Sequence, residues 1–181
     1  MLVKIKNGRV AFPNLFEARS FQGEGDPAYS ASIILEKTNP SIKEIEKTII
    51  AVAKEKWGDK SAAMLKDLKA KDKLPLHDGD SKTEYEGFPG NVYVSARNKS
   101  RPLVIDRDKT PLTKEDGRPY GGAICNVNVD IWAQENQFGK RINATLVGVQ
   151  FVKDADAFSG AAPATVEDFD AVGDEAEESL V

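Results

Sequence analysis

The chain has 181 residues, 40% of them apolar and 30% charged, with one cysteine, one histidine and a net charge of −4. That length suits one domain with one core plus short appendages, and the lone Cys125 and His77 exclude an internal disulfide framework and a zinc site built from Cys and His. No run nears the ~18 apolar residues that cross a bilayer, and the opening Met1-Leu2-Val3-Lys4-Ile5-Lys6-Asn7-Gly8 reads as a charged strand rather than a signal peptide; the expectation is a soluble, cytoplasmic protein with no membrane partner.

In chain order, Val3 and Ile5 alternate with Lys4 and Lys6, and Asn7-Gly8 is the dipeptide of a type I′ hairpin, so a β-ribbon is expected to open the fold. Pro13-Asn14 should break the returning strand, leaving residues 16–27 as a loop that carries Phe16 and Phe21. Tyr29, Ala31, Ile33 and Leu35 then share one face of a strand, which predicts that Tyr29 is a core residue. Asn39 as N-cap and Pro40 at the first helical position begin a helix with Ile42, Ile45, Ile49, Val52, Ala53 and Trp57 at helical spacing, and Gly58 ends it. A shorter helix over residues 61–71 turns Met64, Leu65 and Leu68 inward and lysines outward. Residues 74–90, rich in Pro, Gly and Asp, read as a long loop.

Strands dominate the second half. Over residues 91–99, Val92, Val94 and Ala96 take one face, and Tyr93, Ser95, Arg97 and Lys99 the other. A short strand follows over residues 101–106, and residues 107–122 are turn-rich and charged. Alternation resumes with Cys125, Val127, Val129, Ile131 and Ala133 inside and Asn126, Asn128, Asp130 and Trp132 outside, and a last strand covers residues 141–152 after a hairpin at Phe138-Gly139-Lys140. From Asp154 onward there are nine carboxylates and no Lys or Arg, which leaves 20 of the 29 acids against all 25 bases in residues 1–153. A body of +5 is thus joined to a tail of −9 whose Ala, Gly, Pro and acid content predicts disorder over residues 154–181. Five or so strands with one principal helix between them predict a small Greek-key barrel of the oligonucleotide-binding (OB) type over residues 1–153.

There is no P-loop, Gly-x-Gly-x-x-Gly, Gly-x-Ser-x-Gly or His-Glu-x-x-His, and the expectation is a non-enzymatic protein without cofactor or metal. His77-Asp78-Gly79-Asp80 has the residue types of a metal loop, but fits solvated turn residues better. Asp106 and Asp108 could pair in a two-metal nuclease; beside Arg107 and Lys109 they fit a salt-bridged turn better. Binding signals are stronger. Single strands are held by cations that meet phosphates and by rings on which bases stack, and Trp132 stands on the polar face of an alternating strand. Tyr93 with Arg97 and Lys99 offers the same pairing on another strand, the alternative being that both rings pack under a loop or at a subunit contact. Tyr120 is a third candidate ring; Arg101, Lys140 and Arg141 lie in or beside loops flanking these strands, as do Arg107, Lys109 and Arg118.

Residues 91–106, then Tyr120-Gly121-Gly122-Ala123-Ile124-Cys125-Asn126-Val127, and above all Gly139-Lys140-Arg141-Ile142-Asn143-Ala144-Thr145-Leu146-Val147-Gly148-Val149-Gln150-Phe151-Val152-Lys153-Asp154 resemble the tailed-phage single-stranded DNA-binding proteins long catalogued as a domain of unknown function. The opening, from Gly8-Arg9-Val10 to Asn14-Leu15-Phe16, fits as well, and the resemblance spans most of residues 1–160. It implies an OB-fold protein that coats single-stranded DNA during phage replication and recombination in the host cytoplasm. It further implies an acidic tail, here Asp168, Asp170, Asp174, Glu175, Glu177 and Glu178, that contacts replication or recombination proteins and competes with DNA. Many such proteins end in an aromatic residue, whereas this chain ends Ser179-Leu180-Val181. A single-strand annealing protein is the rival within the same binding class.

Overall fold

The computed structural model describes residues 1–21, 23–158 and 170–172. They form strands β1 (Leu2–Phe21), β2 (Glu24–Leu35), β3 (Leu76–Asp78), β4 (Val92–Asn98), β5 (Leu103–Ile105), β6 (Ile124–Asn136) and β7 (Gly139–Lys153), with helices α1 (Ser41–Trp57) and α2 (Ser61–Ala70) between β2 and β3. β1 pairs antiparallel with β2 and β6, β2 with β4, and β6 with β7. β4 then meets β7 in parallel at Arg97 and Thr145, and the circuit β1-β2-β4-β7-β6 closes into a five-stranded barrel. This is the OB-type architecture that the alternation predicts. β3 extends the sheet beyond β4, and β5 runs parallel beside β7.

Alternation fills the interior. Ile5, Val10, Ile33, Leu35, Val94, Cys125, Val127, Val129, Ile131, Ile142 and Leu146 are wholly buried in one core. α1 lays Ile45, Ile49, Val52 and Ala53 against β1 and β6, and the three larger side chains contribute at most about 1.5–3 kcal/mol each. Its start is capped as expected, because the Ser41 N–H donates to Asn39 Oδ1 at 2.8 Å, and Gly58, at φ 55, ends it. Trp57 is half-buried and packs on the core, while its Nε1–H donates to Glu135. Tyr29, expected inside, is half-buried where β2 nears the barrel rim.

Three expectations about the first strands are corrected. Asn7-Gly8 forms no hairpin; β1 runs through it with one extra residue, since Ile5 faces Val127 and Gly8 faces Cys125. The left-handed Asn7, at φ 56, therefore makes a bulge, whose freed backbone groups find other partners. The Lys6 N–H donates to Ser41 Oγ, its carbonyl accepts from Asn39 Nδ2, and the Asn7 N–H donates to Asn126 Oδ1. Pro13 likewise does not end the strand, because a second bulge, with Phe12 at φ 50, absorbs its missing donor between the Ala11–Ser32 and Asn14–Ser30 pairs. The predicted loop over residues 16–27 is mostly the two extended sides of the β1–β2 hairpin arm, with Phe21 opposite Glu24.

The C-terminal boundary also differs. Residues 154–158 form a strap along the body: the Phe158 N–H donates to the Gly121 carbonyl at 3.0 Å, and Arg9 donates to the Asp156 carbonyl at 2.7 Å with its guanidinium 4.4 Å above the Phe158 ring. At Gly122, φ is 109 and a Cβ would stand 2.3 Å from the Asp156 oxygen, so the strap needs glycine there. The disorder expected of the tail falls on residues 159–169 and 173–181, which lie outside the described residues.

Gly8 is buried under β2, where an added Cβ would lie 2.4 Å from Ile33 Cγ2. Gly8→Ala should lower unfolding stability by about 1–3 kcal/mol in urea titration through overpacking, with the fold retained by circular dichroism.

Candidate nucleic-acid interface

Barrel closure aligns one row of outward residues across five strands. Trp132 on β6 is 42% exposed, and its Nε1–H donates to Thr145 Oγ1 on β7 at 3.0 Å. Thr145 pairs with Arg97 on β4, Arg97 with Ser30 on β2, and Ser30 accepts from Asn14 Nδ2 on β1 at 3.3 Å. Ser32 and Ser95, paired with each other, lie beside this row and widen its polar floor. Two of the expected residues, Trp132 and Arg97, thus meet in one strip.

The other cations border it. Lys99 follows β4 and reaches Asp26 on the arm at 3.2 Å, and Arg101 sets its guanidinium 5.8 Å from the Phe16 ring. Lys140 pairs with Glu135 at 3.3 Å beside the β6–β7 hairpin, and Arg141 lies opposite Gln134, two residues along from the Trp132–Asn143 pair. Arg141 Nε is enclosed and makes no hydrogen bond. The Glu135 carboxyl is held below the usual carboxylate range, first by the Trp57 N–H and then by Lys140, so it stays anionic beside that lysine.

The two tyrosines do not join the strip. Tyr93 is only 5% exposed, stacked on His77 at 4.8 Å and edge-on to Phe88 at 5.0 Å under the 79–90 loop; burial pushes its phenol up. Its outward alternation was legible, but not the loop that covers it. Tyr120 is half-buried, and its hydroxyl donates to Asp154 Oδ1 at 2.8 Å and accepts from the Ala155 N–H at 3.2 Å. Burial, then the Asp154 contact, raises its pKa, and the ring anchors the strap rather than facing the strip. Of the tail candidates, Asp170 is exposed, while Asp168, Asp174, Glu175, Glu177 and Glu178 lie outside the described residues.

The carboxylates weighed for metal chemistry have structural partners. Asp106 accepts from Arg118 at 2.6 Å, which holds its carboxyl below the ordinary range, and Asp108 accepts from the Thr110 N–H. Arg107 and Arg118 each stand 5.7 Å from the Phe151 ring and line a cavity of about 430 Å³ with Asp106, Asp108 and Asp154. Asp78 accepts from the Asp80 N–H, Asp80 accepts from the Gly90 N–H, and His77 contacts Asp72, so this segment braces the loop.

Sequence reading missed Ser30, Thr145 and Asn14, which carry no individual signal and join the strip only through register. It also left Phe138, 82% exposed at the β6–β7 hairpin, without a role. In OB folds the second and third strands and the loops after the first and fourth strands bind oligonucleotides; here those are β2, β4, the arm and the Phe138 hairpin.

The buried Cys125 thiol is pushed up to about 12 by desolvation. It should resist iodoacetamide at pH 8 in the native protein and react at once in guanidinium; native-state labelling would contradict its place in the core.

The comparisons agree with this fold. Residues 1–180 match the family model described as Enterobacter phage Enc34, ssDNA-binding protein. A putative protein p50 of Acyrthosiphon pisum secondary endosymbiont phage 1 is 45% identical over 184 residues, covering all of this chain and 99% of that protein. Among known structures, the single-stranded DNA-binding protein of bacteriophage Enc34 in complex with single-stranded DNA superimposes with a TM-score of 0.73 at 26% identity, covering 87% of this chain and 89% of that one. Bacteriophage T7 gp2.5, a single-stranded DNA-binding protein, shares the fold at a TM-score of 0.58 and 15% identity, over 91% of this chain and 98% of that one. With its whole body and nearly its whole length matched, the chain belongs to the family of the Enterobacter phage Enc34 single-stranded DNA-binding protein.

Proposed function

We infer that this chain binds single-stranded DNA without sequence preference, as a binding protein rather than an enzyme, in phage DNA replication and recombination within the host cytoplasm. The observation that carries this is the row Trp132–Thr145–Arg97–Ser30, an exposed ring and a cation on the binding face of an OB barrel in this family. A ring offers a stacking surface to any base, and a guanidinium meets any phosphate, so neither selects a sequence. Arg97, Lys99, Arg101, Lys140 and Arg141 meet the backbone, and Trp132 stacks.

The salt dependence tests the electrostatic half. Log affinity for oligothymidylate should fall linearly with log salt, by about 0.7 per phosphate contacted, and a flat response would remove the cations from the mechanism. Trp132 tests the other half: its fluorescence should be quenched on binding, and Trp132→Ala should cost ~1–3 kcal/mol of affinity at unchanged melting temperature.

Beyond Phe158 the chain carries seven acids and no base, tethered to a basic body. This segment competes with DNA for the cations and recruits replication or recombination proteins through Asp168, Asp170, Asp174, Glu175, Glu177 and Glu178. Because Arg9 and Tyr120 hold residues 154–158, the informative truncation removes residues 159–181 only. It should tighten single-strand binding most at low salt and lose the recruited partner; equal affinity at low salt would sink the competition.

A further inference from the structure

We infer that Phe12 and Tyr85 form a second base-stacking platform, at the end of the strip opposite Trp132, so that a single strand crosses the barrel strands between two aromatic posts. This rests on the reading of the strip as the single-stranded DNA interface.

Phe12 sits in the second bulge of β1, between Ala11, which faces Ser32, and Asn14, which faces Ser30. It therefore stands at the level of the Arg97–Ser30 row. A left-handed φ of 50 is unusual for a bulky residue, and here the bulge leaves the ring 54% exposed instead of inside the barrel. Tyr85, 41% exposed, comes over from the 79–90 loop to meet it edge-on, with ring centroids 5.1 Å apart. The buried Phe88 supports both, at 6.0 Å from Phe12 and 6.1 Å from Tyr85. The two rings are thus held in place before any ligand arrives.

Their exposure is selective. The neighbouring apolar residues Ala11, Ile34, Phe88 and Tyr93 are buried, with Phe158 of the strap packed against them, whereas Phe12 and Tyr85 remain exposed. From Trp132 on β6 to Phe12 on β1 there are four strand spacings, roughly 19 Å along the sheet, within the reach of the short oligonucleotides that single OB folds hold. Between the posts lie Thr145, Arg97, Ser95, Ser30 and Ser32, hydroxyl groups around one cation.

The rings decide which part of the nucleotide this end takes. Lys82 Nζ stands 5.6 Å from the Tyr85 ring centroid. Lys82 thus already faces the Tyr85 ring within cation–π range, and Phe12 carries no polar group, so the platform offers ring faces that receive a base while Arg97 takes the backbone. A stacking post of this kind contributes affinity that salt does not screen.

The test is binding of a fluorescent oligothymidylate to the full chain across a salt series. Tyr85→Ala and Phe12→Leu should each weaken binding by about 5- to 150-fold without changing the salt slope, and Tyr85→Phe, which keeps the ring, should bind like the parent protein. Arg97→Ala should instead make the slope shallower by about 0.7. Irradiating the parent protein with a 5-iodouracil-substituted oligonucleotide gives a readout that no variant's folding can disturb, and the cross-linked peptides should include Phe12 or Tyr85 as well as Trp132. Cross-links at Trp132 alone, with Tyr85→Ala and Phe12→Leu binding normally, would overturn the second platform and leave the strip intact. A parent protein that binds no oligothymidylate would overturn the strip and the platform together.

Discussion

The parallel contact between β4 and β7 is the constraint on which the rest depends. Without it, the five strands would form an open curled sheet whose β4 and β7 flanks are covered only over short stretches by β3 and β5, leaving backbone groups open to other chains. Arg97 facing Thr145, with the Asn98 side chain donating to the Leu146 carbonyl at 2.9 Å, joins the two flanks. Closure also requires the strands to bend and tilt, and β1 achieves this with bulges at Asn7 and Phe12, while β7 gains an extra residue between Leu146 and Gly148 opposite the Val129–Asn128 step of β6. The same contact assembles the polar row on the outside, since Arg97 and Thr145 are its central pair. Stability and the outward polar row therefore share one register.

What was legible in the sequence was whatever depends on side-chain alternation. The inward set from Cys125 to Ile131, the outward Trp132 and the caps of α1 all follow from local periodicity and local chemistry, and each lies where those rules put it. What was not legible depends on distant parts of the chain. Asn7-Gly8 is compatible with a hairpin and with a bulge; the choice falls to β6 and to Ser41, which accept the bulged strand. Tyr93 has the pattern of an exposed residue, and His77 on β3 together with Phe88 of the 79–90 loop turns it into a core residue. Residues 154–158 have the composition of the tail, yet Arg9, Gly87 and Gly122 provide the groove that holds them.

The cations divide by how costly they are to move. Arg118 is held by Asp106 at 2.6 Å and lies against Phe151 with Arg107, so displacing it would break an ion pair and uncover a core-edge ring. Lys99 and Lys140 make exposed pairs with Asp26 and Glu135, of a kind worth at most about 1 kcal/mol. A phosphate can replace either carboxylate at little loss. The charges that border the strip are therefore the exchangeable ones, and those built into the β5–β6 turn are not.

The proposed sequence-tolerant interface needs this separation. If its cations were locked in strong internal pairs, each phosphate contact would have to offset the loss of one; if they were wholly unpaired, the free protein would concentrate positive charge along one face. Weak pairing avoids both costs, and the row adds hydroxyls from Ser30, Ser32, Ser95 and Thr145, each able to donate or accept, with the Asn14 amide already engaged by Ser30. Such groups adapt to any base edge or sugar and impose no pattern of their own. Discrimination between bases requires fixed donors and acceptors whose mismatch leaves a buried polar group unpaired, and an exposed floor of rotatable hydroxyls carries no such penalty.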